Sequence, residues 1–273
     1  MATTRQLHTL LRPDASRQVI SRPLNELRRN NLIGYTVLPQ SHRTRAWYLT
    51  PAGARLTRDW PHLRNRPPYP ITSATAASLK TPHTLTVVRT HLAFVTDARR
   101  RGDEHGPLDW TPEVAHPIGD GEKLIADAVA HYTLTTGQQR RKLRAFIEVD
   151  RTTMGSERLA SKLIDYARLW TYEPQLPGRQ RRNHHAGSPG WIRHYPLFPR
   201  VLFVLTGAPP RTLHNRINDL QAMTTQHPLV TALARDVPLA AATLTDLEEH
   251  GPTAPVWTPL VRPDGTTTPW TEL

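Results

Sequence analysis

Cysteine is absent from the chain, which excludes disulfide staples, thiolate zinc sites and cysteine nucleophiles and leaves any metal ion to oxygen or histidine ligands. Long apolar runs are missing as well. The longest, Val201 to Leu205, is far short of the roughly 20 residues that span a bilayer. No charged-then-apolar segment of the secretory kind opens the chain, so the sequence predicts a cytoplasmic protein with no membrane partner. Lysine is scarce: of 35 cationic side chains only Lys80, Lys123, Lys142 and Lys162 are lysines. Acid is the minority sign, with 23 Asp and Glu leaving a net charge of +12. A surplus carried by arginine points to a polyanionic partner, nucleic acid first.

Over residues 1–58, Leu7, Leu10 and Leu11 recur at helical spacing after Thr3, a residue type suited to an N-cap, and RPDAS follows as a turn. A second pattern, Val19, Ile20, Leu24 and Leu27, runs to Asn30 with Arg17, Arg22, Asn25 and Arg28 on its other face. Next come two strand-like runs, Leu32 to Leu38 and Ala46 to Thr50, around the tip QSHRTR. Helix, turn, basic helix and basic-tipped hairpin make a winged helix-turn-helix. In such a module the second helix lies in a major groove, where Arg17, Arg22, Asn25 and Arg28 meet DNA, while Arg43 and Arg45 grip flanking phosphates. Pro23 interrupts that helix pattern, so a kink or a start is expected there. The helix that usually precedes the pair is missing, and the apolar face it leaves falls to a second copy, to the second domain, or to a replication or mobilisation partner.

Residues 59–82 are rich in proline and small residues without amphipathic pattern and are expected to be a linker. From 83 to 273 the patterns read in the order α-β-β-β-α-β-α-β: a helix at His83–Arg99, strands at Trp110–Pro117, Lys123–Leu134 and Leu143–Asp150, a helix at Ser156–Trp170, a strand at Arg200–Thr206, a helix at Thr212–Thr224 and a strand near Leu239–Leu244. A turn near Gly137 and Gln138 brings Asp127 opposite Glu148, and alternation puts Glu148 and Asp150 on one face.

This order, with its acidic positions, resembles the PD-(D/E)xK nuclease core. The resemblance implies catalytic roles for Asp127, Glu148, Asp150 and Lys162. It also implies a Mg²⁺ or Mn²⁺ ion held by Asp127, Glu148 and the Val149 carbonyl, a hard cation among oxygen ligands. The pattern wants lysine two residues after the glutamate, where this chain has Asp150; Lys162, on the inner stripe of the next helix with Leu159, Leu163, Tyr166 and Trp170, reaches the same end from another position. Asp150 is then expected to ligate a second metal or to hold Lys162. Taken with the N-terminal module, the segments LIADA, FIEVDRTT and ERLASKLIDYARLW are similar to the replication-relaxation family, whose usual Pro before the strand-two Asp is Ala126 here.

The segment PGRQRRNHHAGSPGWIRHYP interleaves Arg179, Arg181, Arg182 and Arg193 with Trp191 and Tyr195, which suits an arm that grips phosphates and stacks on an exposed base of single-stranded DNA. His184 and His185 are adjacent and point apart in an extended chain, a poor metal pair. Three functions stay open at this level. One is a metal-dependent DNA endonuclease of a plasmid or mobile element; the second is a non-catalytic accessory factor that recruits a replication or relaxation enzyme; the third is a transcriptional regulator with a dimerising C-terminal domain.

Overall fold

A computed structural model describes every residue except 40, 42, 59, 61–69, 154, 175–187 and 263. The chain forms two compact units, Met1–Thr96 with His105–Asp109, and Asp97–Glu104 with Trp110–Leu273.

In the first unit β1 (Ala2–Thr3) leads into α1 (Thr4–Leu11), followed by α2 (Gln18–Arg29), β2 (Ile33–Val37), β3 (Arg45–Leu49), α3 (Pro51–Thr57) and α4 (Ala74–Arg101). Thr3 caps α1 by accepting the Gln6 N–H, and the Gln6 side chain accepts the Thr3 N–H in return, satisfying two orphan amides reciprocally. Pro23 sits inside α2, which runs unbroken from Gln18. The sheet is ordered β1-β3-β2, all antiparallel, with β2 at the edge. Ile20 and Leu24 of α2 pack on Trp47, with Leu7, Ile33 and Tyr35 around them. Helix α4 begins at Ala74, inside the stretch expected to be linker, and carries Pro82 within it. Its first inward positions are Ala77 and Thr81, both buried, and residues so small leave no amphipathic signature to read.

The second unit is built on β4 (Trp110–Gly119), β5 (Glu122–Thr136), β6 (Gln139–Asp150), β7 (Arg200–Leu205), β8 (Leu239–Thr243) and β9 (Thr258–Pro259). Between them lie α5 (Ser156–Thr171), α6 (Pro210–Gln226), α7 (Pro228–Asp236) and α8 (Leu244–His250). Strands β4 to β9 form one mixed sheet in sequence order; β4-β5-β6 are antiparallel, β6-β7-β8 parallel, and β9 returns antiparallel on β8. The register between β5 and β6 is the expected one, with Ala128 opposite Ile147 and Thr136 opposite Gln139. One face packs Phe146, Val201, Phe203 and Leu205 against Leu163 and Tyr166 of α5, Ile217 of α6 and Leu233 of α7. The parallel strands β6 and β7 therefore end at one edge, where the chain leaves toward the starts of α5 and α6. Helices α7 and α8 and strand β9 go beyond the sequence expectation, being short elements below the length at which periodicity is informative.

Candidate functional site

The strand pairing of β5 with β6 ends at Ala128 and Ile147. The next β6 amide, that of Val149, donates instead to Asp127 Oδ2 at 2.8 Å. A side chain thus takes the place of a strand carbonyl where the two strands part, which fixes Asp127 at the mouth of the split. Val149 contributes its N–H to this arrangement, and its side chain is buried.

Glu148, 4% exposed, accepts the Tyr166 hydroxyl at Oε1, 2.7 Å away. The Lys162 ammonium lies 3.3 Å from its Oε2 and donates to the Ile125 carbonyl at 2.8 Å. Burial drives the Glu148 carboxyl up to about 7; Lys162 opposes that rise and Asp127 adds to it. Tyr166 is in turn pushed well above the ordinary phenol range by burial and by the Glu148 charge. Lys162 and Tyr166 stand one turn apart on α5, so a single helix face delivers both donors to one carboxylate.

The sequence expectation that Asp150 holds Lys162 is not met. Asp150, 1% exposed, receives Arg216 Nη1 of α6 at Oδ2, 2.6 Å away, and the Thr152 N–H at Oδ1, 3.0 Å away. Its pKa is raised by burial, against the pull of Arg216. Lysine is too far committed to Glu148 to serve both acids, and the longer, forked arginine reaches across from α6. Arg216 escaped the sequence reading, although a charged residue on the inner stripe Leu213, Ile217, Leu220 signals a buried acidic partner. Just beyond, the turns after β6 and β7 close on each other. The Thr152 hydroxyl donates to the Thr206 carbonyl, and a Cβ at Gly207, where φ is +85°, would stand 2.5 Å from the Arg151 carbonyl, so only glycine fits there.

In the first unit three of the predicted DNA-contact residues come together. Arg45 lies 4.5 Å above the Tyr35 ring, and Arg28 lies 4.7 Å from the same ring. Arg45 Nη1 also donates to Asn25 Oδ1 at 3.3 Å, while Asn25 Nδ2 donates to the Ser21 carbonyl. Arg17, Arg22 and Arg43 are exposed and stand outside this cluster. Tyr35, the ring that organises it, was invisible as a functional residue because its place in the strand pattern already explained it.

Arg179, Arg181, Arg182, His184 and His185 lie outside the described residues. The expectation that Tyr195 stacks on a base is not met, and Trp191 is half-buried. Trp191 packs on Phe198 and donates its indole N–H to the Trp170 carbonyl, and Tyr195 is buried with its hydroxyl 2.8 Å from His116 Nε2. Among the described residues no three or more His, Asp or Glu side chains gather as a metal-binding group, and no helix is long and apolar enough to cross a membrane.

A family model described as replication-relaxation matches residues 1–180. The chain belongs to the replication-relaxation family. No curated protein and no solved structure matches it. Within this replication-relaxation protein the matched span takes in Asp127, Glu148 and Lys162 and stops short of α6, so the Arg216 partner of Asp150 lies outside the matched residues.

Proposed function

We propose that this protein binds DNA of a plasmid or other mobile element and acts in its replication or relaxation by metal-dependent hydrolysis of a phosphodiester. In this reading residues 1–58 are a winged helix, in which α2 enters the major groove and the β2–β3 hairpin is the wing, and the β4–β8 sheet with α5 and α6 is a PD-(D/E)xK nuclease core. The observation that carries it is the Lys162 ammonium at Glu148, beside the split where Asp127 meets β6. Lysine supplied from α5 makes good the acid at position 150, because a cation beside an attacked phosphate stabilises the charge that develops on it.

The residues suit a hard divalent cation. Asp127 and Glu148 supply carboxylate oxygens where β5 and β6 part, and burial is the main cost of the Glu148 charge, a cost that a bound divalent cation would offset. Asp127 and Glu148, with a backbone oxygen of β6, would hold Mg²⁺ or Mn²⁺, which supplies an activated water and neutralises phosphate charge. Lys162 holds Glu148 in place, and Tyr166 fixes the rotamer of the same carboxylate. The closed Asp150–Arg216 pair favours the second reading, an accessory factor that binds DNA and recruits an enzyme. Incubation of supercoiled plasmid with Mg²⁺ or Mn²⁺ separates the two. Nicking or linearisation that is lost in Asp127→Ala and Lys162→Ala is the expected result; intact plasmid, together with no heat of Mn²⁺ binding in calorimetry, would overturn the nuclease reading.

A further inference from the structure

Beside edge strand β2 lies an open groove of about 670 Å³, lined by Arg28 from the end of α2, Tyr35 of β2, Tyr48 of β3, Arg55 of α3, and the polar side chains of Asn31 and Thr50. Its chemistry is one-sided: among the described residues two guanidinium groups line it and no acid does. Its shape depends on Gly34, which pairs with Tyr48 across β2 and β3. A Cβ at Gly34 would sit 2.6 Å from the Tyr48 ring, so glycine lets that ring lie flat across the strand. The Arg28 guanidinium rests on the Tyr35 ring, which holds its charge at the groove. A planar aromatic face beside fixed cations is the arrangement that takes a base by stacking and its phosphate by charge.

We infer that this groove binds a single-stranded DNA segment, with a base stacked on Tyr48 and phosphates on Arg28 and Arg55. The inference rests on the DNA-binding reading above but concerns a surface apart from the wing tip: Arg55 and Tyr48 belong to neither the exposed face of α2 nor the β2–β3 turn. The occupant is nucleic acid because the chain carries a net charge of +12 and the described lining of the groove holds cations without a carboxylate. Single strand is favoured over duplex because a stacked duplex offers no free base face to a ring that lies flat on a sheet.

The test measures fluorescence anisotropy of the full chain with two probes, a labelled oligothymidylate and a labelled duplex of the same length. Tyr48→Ala and Arg55→Glu are each expected to weaken oligothymidylate binding about tenfold, as loss of one stack or one phosphate contact does, and to leave duplex affinity within about twofold. Tyr48→Phe keeps the ring and is expected to bind as the wild type does, which separates stacking from damage to the fold. Duplex binding without oligothymidylate binding would overturn the groove alone, as would oligothymidylate affinity unmoved by Arg55→Glu. Binding of neither probe would overturn the DNA-binding reading with it.

Discussion

Glu148 takes up its proton near pH 7 in the folded chain and near the ordinary carboxyl value of about 4.3 when unfolded. Between those values the native state holds more protons than the unfolded one, so this residue's contribution to stability is full at low pH and fades as pH rises through about 7. His116 works the other way. Burial, with His194 adding to it, lowers its pKa to about 4, so its contribution is present above the ordinary histidine value and is lost as pH falls toward 4. The two partly cancel in a simple pH scan, and the informative quantity is a difference. In metal-free buffer the stability of wild type relative to Glu148→Gln is expected to fall by on the order of 3 kcal/mol from pH 5 to pH 8, read from thermal melts of both proteins; a flat difference would place Glu148 in water. Asp150 gives a second residue-scale expectation. Arg216→Ala leaves a buried carboxylate without its cation, held only by the Thr152 N–H among the bonds described, and should cost about 3–5 kcal/mol in urea unfolding; Asp150→Asn in the same chain should restore much of that loss. The acids were legible in sequence because β5 and β6 alternate cleanly and their turn fixes the register. Their partners were less so: one face of α5 announced Lys162, but only a three-dimensional approach of α6 to β6 could show that Arg216 answers Asp150.

At the scale of elements, α2 and the β2–β3 hairpin are joined by the Arg45 bond to Asn25 and by the Tyr35 ring between Arg45 and Arg28. A hairpin cation that only gripped phosphate would change affinity for every sequence alike. Arg45 instead holds the side-chain oxygen of a residue on the exposed face of α2, so its loss leaves Asn25 held through its Nδ2 bond to the Ser21 carbonyl and its oxygen released. Competition binding against a randomised duplex is expected to show Arg43→Ala weakening all sequences by a similar factor, and Arg45→Ala shifting the preferred bases as well. Identical preference in both variants would reduce Arg45 to a phosphate contact. Elements with a strong period, α1, α2, β5, β6 and α5, could be read from sequence to within a few residues. The start of α4 could not, since Ala77 and Thr81 pack as well as larger residues but carry no hydrophobic signal. Tyr195 failed for the opposite reason: surrounded by arginine and histidine in sequence, it looked exposed, while folding turns it onto His116.

For the whole molecule, the net charge of +12 sets an expectation independent of any single contact. DNA affinity should fall steeply between roughly 50 and 200 mM salt, as condensed counterions are released on binding, and filter binding across that range measures the slope. A flat response would remove the electrostatic case for DNA. Net charge is legible at a glance, yet it does not say which surface carries it; the grouping of Arg28, Arg45 and Tyr35 had to be seen. Helix α4 has a consequence of a different kind. Its 28 residues begin in one compact unit and end in the other, since the first unit runs to Thr96 and the second starts at Asp97. A recombination breakpoint near residue 83, where composition suggests a seam, would cut this helix and leave each descendant with a frayed half. A boundary for producing the first unit by itself therefore cannot be set at that seam, because the cut would divide one helix.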